Sequence, residues 1–317
     1  MHSGSLSKSN SSIAIVAHDA GGAEIISSLI RVKCLTPQCS YSLSGPANKI
    51  FSFKLGRINN ESLDEIIIKC DYLLCGSSWD SEHELNAIKL AKFHGKKSIV
   101  FLDHWVNYEN RFTRANTLTL PDEIWVSDGY AERLAKSAFG KSGPPIKVVE
   151  NPYLIEARRD IVNAEIKYLD DIDKSTVLKV LFLSEAISEH AKKVYDDERF
   201  WGYTEKDALN FFLGNREYCC TKNISLRIRL HPADSKDKYN LKEYLSDLII
   251  QISDERHTLV DDIAWADIIV GCSSMAMVVA IISKKRVICA IPPTGKGFHL
   301  PHEGIESLAS IVAKHKP

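Results

Sequence analysis

Short apolar runs alternate along the chain with longer stretches in which apolar residues recur at helical spacing. Ile13–Ala17 is one such run and ends in His18-Asp19-Ala20-Gly21-Gly22. A strand with helices over both faces has no polar side, so a continuous run of this length predicts a buried parallel strand. Glu24–Val32 then reads as a helix. Asp71–Cys75 and Ser98–Leu102 predict two more strands, with an amphipathic helix over Ser81–His94 between them. Glu123–Val126 and Ile146–Val149 predict two further strands around a helix at Tyr130–Ala138.

The charged stretch Ile155–Lys174 interrupts this rhythm, and a second alternation follows it. Strands are predicted at Val177–Leu183, Ile224–Leu230, His257–Val260, Asp267–Val270 and Arg286–Ile291. Helices are predicted at Thr204–Tyr218, Leu241–Ile252, Ser274–Ser283 and Glu306–Lys314. Repeated strand–helix alternation implies parallel sheets. The expectation is an α/β protein of two Rossmann-like, doubly wound domains facing across a cleft. The domains would cover 13–155 and 175–317, with a linker at 156–174 and a polar, Ser-rich tail at 1–12 that is expected to be disordered. That tail has no apolar core of the signal-peptide kind.

Ligands of open α/β sheets bind beyond the carboxyl ends of the strands, so polar residues just after strands are the first candidates. In the first half these are His18 and Asp19 with Gly21 and Gly22, then Ser78 and Asp80, then Asp103, His104 and Trp105. The paired glycines let backbone approach a ligand, and a helix N-terminus favours negative charge. A plain turn with His18 or Asp19 capping the helix accounts for the first segment equally well. An imidazole beside a carboxylate also suits proton abstraction near neutral pH. In the second half the candidates are Ser184 and Glu185, then Arg229, His231 and Pro232, then Ser273 and Ser274. Serines that open a helix can present hydroxyls and amides to an anion, although simple capping uses the same residues.

Composition narrows the classes. Lys+Arg 40 against Asp+Glu 41 gives a net charge of -1, without the basic excess of a nucleic-acid binder. Eight cysteines show no CxxC pair. Cys70, Cys75, Cys272 and Cys289 lie in or beside apolar runs, which suits packed thiols in a reducing cytoplasm. His83-Glu84 lacks the second histidine of HExxH, and Asp171-Ile172-Asp173 sits in the charged linker and not after a strand. No metal and no resident cofactor are expected. No apolar run approaches the ~20 residues of a spanning helix.

The ordered set RLHPAD, DDIAWADIIVGCSSMAM and RVICAIPP resembles the nucleotide-binding half of GT-B glycosyltransferases. More narrowly, it is similar to the bacterial sialyltransferase, Kdo-transferase and CDP-glycerol transferase group. The resemblance implies that His231-Pro232 and Ser273-Ser274 contact a nucleotide-sugar donor, CMP-, CDP- or UDP-linked. It also implies that the first half holds the acceptor, with Asp19 or His18 as base and Asp103 or His104 as runners-up. Ser184, Glu185 and Arg229 would lie beside the donor, and Gly21, Gly22, Ser78, Asp80 and Trp105 beside the acceptor. Many members of the group carry an acidic ribose-binding residue in the helix after the serines, whereas Val279–Ile288 contains none.

The implied activity is a metal-independent, inverting sugar transfer to a glycan or glycolipid in surface-polysaccharide synthesis. The setting would be the cytoplasm, with peripheral contact at the inner face of the membrane left open by a glycolipid acceptor. The alternatives are a sugar-nucleotide epimerase or hydrolase of the UDP-GlcNAc 2-epimerase type, and a non-catalytic nucleotide-sugar binding protein.

Overall fold

The computed structural model describes residues 11–78, 81–171, 177–220, 223–232, 234–241, 244, 248–254, 256–296 and 300–315. The chain divides into two compact units, Met1–Ile155 and Glu156–Pro317. Each is α/β with one parallel six-stranded sheet.

The first unit runs β1 (Ile13–Ala17), α1 (Ala20–Lys33), β2 (Cys39–Leu43), α2 (Ala47–Leu55), α3 (Leu63–Lys69), β3 (Tyr72–Cys75), α4 (His83–Phe93) and β4 (Lys97–Leu102). It continues through α5 (Tyr108–Phe112), a small antiparallel pair β5 (Thr113–Arg114) and β6 (Thr117–Leu118), then β7 (Glu123–Val126), α6 (Gly129–Phe139) and β8 (Ile146–Val148). The sheet order is β2-β1-β3-β4-β7-β8. Every residue of β1 is buried, as its unbroken apolar run requires. Ile15, Ile25, Ile26, Leu29, Phe51 and Phe101 pack in one core. Burying each such side chain stabilises by roughly 1.5–3 kcal/mol.

α7 (Pro152–Glu165) spans the division between the units. The second unit then runs β9 (Val177–Leu183), α8 (Ile187–Tyr195), α9 (Glu205–Gly214), β10 (Asn223–Arg229), β11 (Ile249–Ile252), α10 (Leu259–Trp265), β12 (Ile268–Gly271), α11 (Met275–Ile282), β13 (Arg286–Cys289), β14 (Ile305–Ser307) and α12 (Leu308–His315). Its sheet order is β11-β10-β9-β12-β13-β14.

Two expectations need correction. Ile249–Ile252 is a strand and not the end of a helix, because it pairs in parallel with β10 from Ser225↔Ile249 to Ile228↔Ile252. The rest of the helix expected at Leu241–Ile252 falls partly outside the described residues. His257–Val260 is not a strand. Thr258 and Asp261 exchange side-chain and backbone hydrogen bonds in a capping box that starts α10. All eight cysteines are free thiols, and Cys70, Cys75, Cys272 and Cys289 are buried. No helix among the described residues is long and apolar enough to cross a membrane.

Strand order places the sites. In a doubly wound sheet, the first strand has one neighbour that follows it in sequence on each side, and the crevice at that reversal is open to ligand. In the first unit the reversal lies between β1 and β3. In the second it lies between β9 and β12.

Candidate functional site

At the first reversal, β1 runs out into His18 and Asp19 before α1 begins. Asp19 occupies the N-cap position with extended backbone, yet its side chain makes no capping hydrogen bond. Its Oδ1 instead accepts the Ser78 hydroxyl at 2.9 Å, across to the loop after β3. The imidazole of His18 is held by Ser44, with Nδ1 and Oγ 2.9 Å apart. Its Nε2 lies 3.9 Å from Asp19 Oδ1. Gly45 has φ +51°, and a Cβ there would fall 2.5 Å from His18 Cε1. Only glycine lets the loop after β2 close over the ring. Gly22 similarly admits the loop after β3, since a Cβ on it would meet Gly76 Cα at 3.1 Å. Gly21 lies beside it in the first turn of α1, half-buried.

Asp103 is present at the same strand ends but is committed elsewhere. Its Oδ1 accepts Arg111 Nη1 at 2.8 Å and the Ser77 hydroxyl at 3.3 Å. Both charged side chains are buried, at 7% and 8% exposed. Arg111 also donates to Ser77 Oγ at 2.8 Å. A buried, paired carboxylate of this kind serves the fold better than it serves proton transfer. His104 is half-buried, and its Nδ1 accepts the Trp105 backbone N–H at 3.0 Å. Trp105, expected beside the acceptor, is closed off from solvent. Its indole N–H donates to Asp128 at 2.8 Å while that aspartate caps α6. Asp80 lies outside the described residues, as does all of the Asp171–Asp173 segment beyond Asp171.

Sequence reasoning missed Glu84. It stands in the first turn of α4, 3% exposed, and its Oε1 accepts the backbone N–H of His18 at 2.7 Å. Burial first, and then the charges of Asp19 and Asp103, push its carboxyl up to about 7. The available signal was an acidic residue flanking the apolar face of a helix that starts beyond a strand.

At the second reversal, Glu185 follows β9 and reaches the start of α11. Its Oε1 accepts three consecutive backbone N–H groups, from Cys272 at 2.9 Å, Ser273 at 2.9 Å and Ser274 at 3.1 Å. Oε2 accepts the Ser273 hydroxyl at 3.2 Å. The amides expected to receive a donor phosphate therefore hold the chain's own carboxylate. Burial of Glu185 outweighs these bonds and holds its pKa above the ordinary carboxylate value. Ser274 caps α11 through Ala276 N–H at 3.2 Å.

Ser184 is also committed, donating to Asp234 at 2.7 Å with Tyr239 at 2.9 Å. Arg229 is fixed by Asp262 at 2.7 Å and the His257 carbonyl at 3.0 Å. It braces β10 against α10. His231 and Pro232 are exposed, and the His231 backbone donates to Asp234 at 2.9 Å. Lys238, unnoticed in the sequence, ties this turn down by contacting Asp234, Glu189 and Glu205 at 2.7–3.0 Å. Burial works against its charge, but those hydrogen bonds prevail and raise its pKa. Among the described residues no group of three or more His, Cys, Asp or Glu side chains is placed to hold a metal ion.

No family profile matches the sequence, and no curated protein sequence does. Solved structures do match. UDP-GlcNAc 2-epimerase from Methanocaldococcus jannaschii aligns at TM-score 0.60 and 14% identity, over 95% of this chain and 92% of its own. The Neisseria meningitidis UDP-GlcNAc 2-epimerase bound to UDP-GlcNAc aligns at TM-score 0.62 and 12% identity, over 96% and 90%. MurG from Acinetobacter baumannii is a looser match, at TM-score 0.46 and 11% identity, over 96% and 82%. At these identities the likeness to the epimerases shows the fold, which is GT-B-like: two Rossmann-like parallel-sheet domains in one chain.

Proposed function

We propose that the protein is a metal-independent glycosyltransferase that moves a sugar from a nucleotide-sugar donor to a glycan or glycolipid acceptor. The observation that carries this reading is Asp19. A carboxylate at a helix N-cap that leaves the helix amides alone, and turns to a neighbouring strand end beside a histidine, is placed for a substrate proton. Asp19 takes the proton of the acceptor hydroxyl as its oxygen bonds to the anomeric carbon. The bond from that carbon to the donor phosphate breaks, and the electron pair leaves with the nucleotide. His18 orients the turn and shares the developing charge.

The donor belongs to the second domain in this reading. Its phosphate takes the place that Glu185 Oε1 now holds on the Cys272–Ser274 amides, with His231 beside it. Three backbone donors and a helix N-terminus stabilise a leaving phosphate without a divalent ion. The narrower kinship with sialyl-, Kdo- and CDP-glycerol transferases, and a role in surface polysaccharides, belong to the same proposal.

A second reading is an epimerase acting on a sugar nucleotide. It is favoured by Glu84, whose carboxyl is pushed up to about 7 chiefly by burial and lies close enough to Asp19 to feel its charge. A carboxyl group raised in this way beside a second one is a pairing that acid–base chemistry uses. The test incubates the protein with CMP-, CDP- and UDP-sugars in EDTA, with and without glycan acceptors. Nucleotide release that depends on an acceptor is expected. A changed sugar configuration in UDP-GlcNAc without acceptor would move the assignment to the second reading, and inertness toward every donor would remove both.

A further inference from the structure

Glu84 has more in its position than the hydrogen bond to His18. Its Oε2 is buried and, among the described residues, has no hydrogen-bond partner. The charged and titratable groups around it come from every side of the turn. His18 and Asp19 follow β1, Cys75 ends β3, Asp103 with its partner Arg111 lies beyond β4, and His83 precedes it on α4. Arg111 answers the charge of Asp103, and His18 approaches Asp19. Glu84 has no ion-pair partner among the described residues. A bare carboxylate oxygen in a buried site, close to two other carboxylates, is costly.

We propose that Glu84 is a positioning residue that works as a neutral acid. Oε1 fixes the backbone that carries His18 and Asp19. A proton on Oε2 lets a second carboxyl group lie against that turn without contesting the charge of Asp19. The catalytic half of this inference rests on the proposed base role of Asp19, whereas the proton on Glu84 does not. Its elevated pKa, with burial as the main cause, agrees with the geometry. Above neutral pH the group ionises, the two like charges repel, and the turn loses its geometry.

The experiment follows the His18 backbone amide by ¹H–¹⁵N correlation from about pH 5 to about pH 9, in the whole protein and in Glu84→Gln. The amide of His18 donates directly to Glu84, so its shift reports that carboxyl. Wild type is expected to show a midpoint near 7, and Glu84→Gln, whose amide oxygen still accepts the bond, is expected to lack it. A midpoint that persists in Glu84→Gln belongs to a group other than Glu84 and overturns the proposal. Turnover supplies the second readout. Glu84→Leu is expected to lose at least tenfold at every pH, while Glu84→Gln recovers most of that and lacks the wild-type fall above neutral pH. If the amide midpoint vanishes in Glu84→Gln but the turnover profile does not change, the proton assignment stands and the positioning role of Glu84 falls, whereas the base role of Asp19 is judged by Asp19→Asn alone.

Discussion

The two domains put an acidic side chain against the backbone of a strand-to-helix turn, and they use it in opposite ways. In the N-terminal domain Glu84 accepts the His18 amide through Oε1 and leaves Oε2 bare. In the C-terminal domain Glu185 meets three amides and a hydroxyl, and both its oxygens are engaged. In the first turn Asp19 does not cap its own helix and accepts the Ser78 hydroxyl instead, the arrangement on which its proposed role as base rests. In the second the amides ahead of α11 are already taken by Glu185, and under the proposed reading the donor phosphate displaces it. Under the proposed reading, similar topology thus gives one end that reacts and one that binds. The difference comes from which atoms are already satisfied.

The strongest test of the reactive end is Asp19→Asn. Loss of a general base costs ~10²–10⁴ in rate, and the amide should still accept the Ser78 hydroxyl. Steady-state turnover with the best donor and acceptor measures it. Near-wild-type turnover, together with loss in His104→Ala, would move the base to the loop after β4.

Asp103 should separate from Asp19 by responding in stability. Arg111→Met leaves a buried carboxylate unpaired, so urea unfolding of the N-terminal domain should show a loss of about 3–5 kcal/mol. Removing both charges in Arg111→Met/Asp103→Leu should restore most of it. A loss below about 1 kcal/mol in the single variant would return Asp103 to the list of reactive groups.

Glu84 adds a pH dependence with a definite sign. Its pKa rises from 4.5 to about 7 on folding. The stability it contributes is therefore fully present below pH 4.5 and is lost as pH rises through about 7. Relative to Glu84→Gln, wild type should lose on the order of 3 kcal/mol across that window. Denaturant midpoints of the two proteins that stay parallel over the window would contradict the raised value.

The binding end should show the smallest effect. Glu185→Ala frees the amides ahead of α11, and affinity for a nucleoside diphosphate should rise about tenfold, within the range of a charge-assisted hydrogen bond. Unchanged or weaker binding in that variant would place the phosphate beside the α11 N-terminus and not on it.

Much of this contrast was legible before any coordinates. β1, β3, β4, β9 and β12 stand out as apolar runs because both faces of a central parallel strand are covered. The polar residues after them marked both sheet reversals. β2 was hidden, since Cys39-Ser40-Tyr41-Ser42-Leu43 mixes serines into a strand beside β1. The apolar residues of Ile249–Ile252 fit a helix as well as a strand, and only the pairing of β11 with β10 decides between them. The capping box Thr258-x-x-Asp261 was present in the chain but was overlooked beside a β-branched pair. Among site residues, the positions of His18, Asp19 and Glu185 were visible, but their partners were not. A sequence cannot show that Glu185 reaches amides contributed by a strand end far along the chain. Nor can it show that Asp19 declines to cap its own helix. Glu84 escaped because an acidic residue in a first helical turn already has an ordinary explanation in the helix dipole.

The division of labour between the domains is tested most directly by titration calorimetry of CMP, CDP and UDP. The titrations compare the wild-type protein, His231→Ala and Asp19→Asn. One of these nucleotides should bind wild type. His231→Ala should weaken it by roughly 1.5–3 kcal/mol, the size of a hydrogen bond to a charged group, and Asp19→Asn should leave it within about twofold, well under the ~1.4 kcal/mol of a tenfold change. Wild-type affinity in His231→Ala together with lost binding in Asp19→Asn would contradict the account, because the nucleotide would then sit on the first domain.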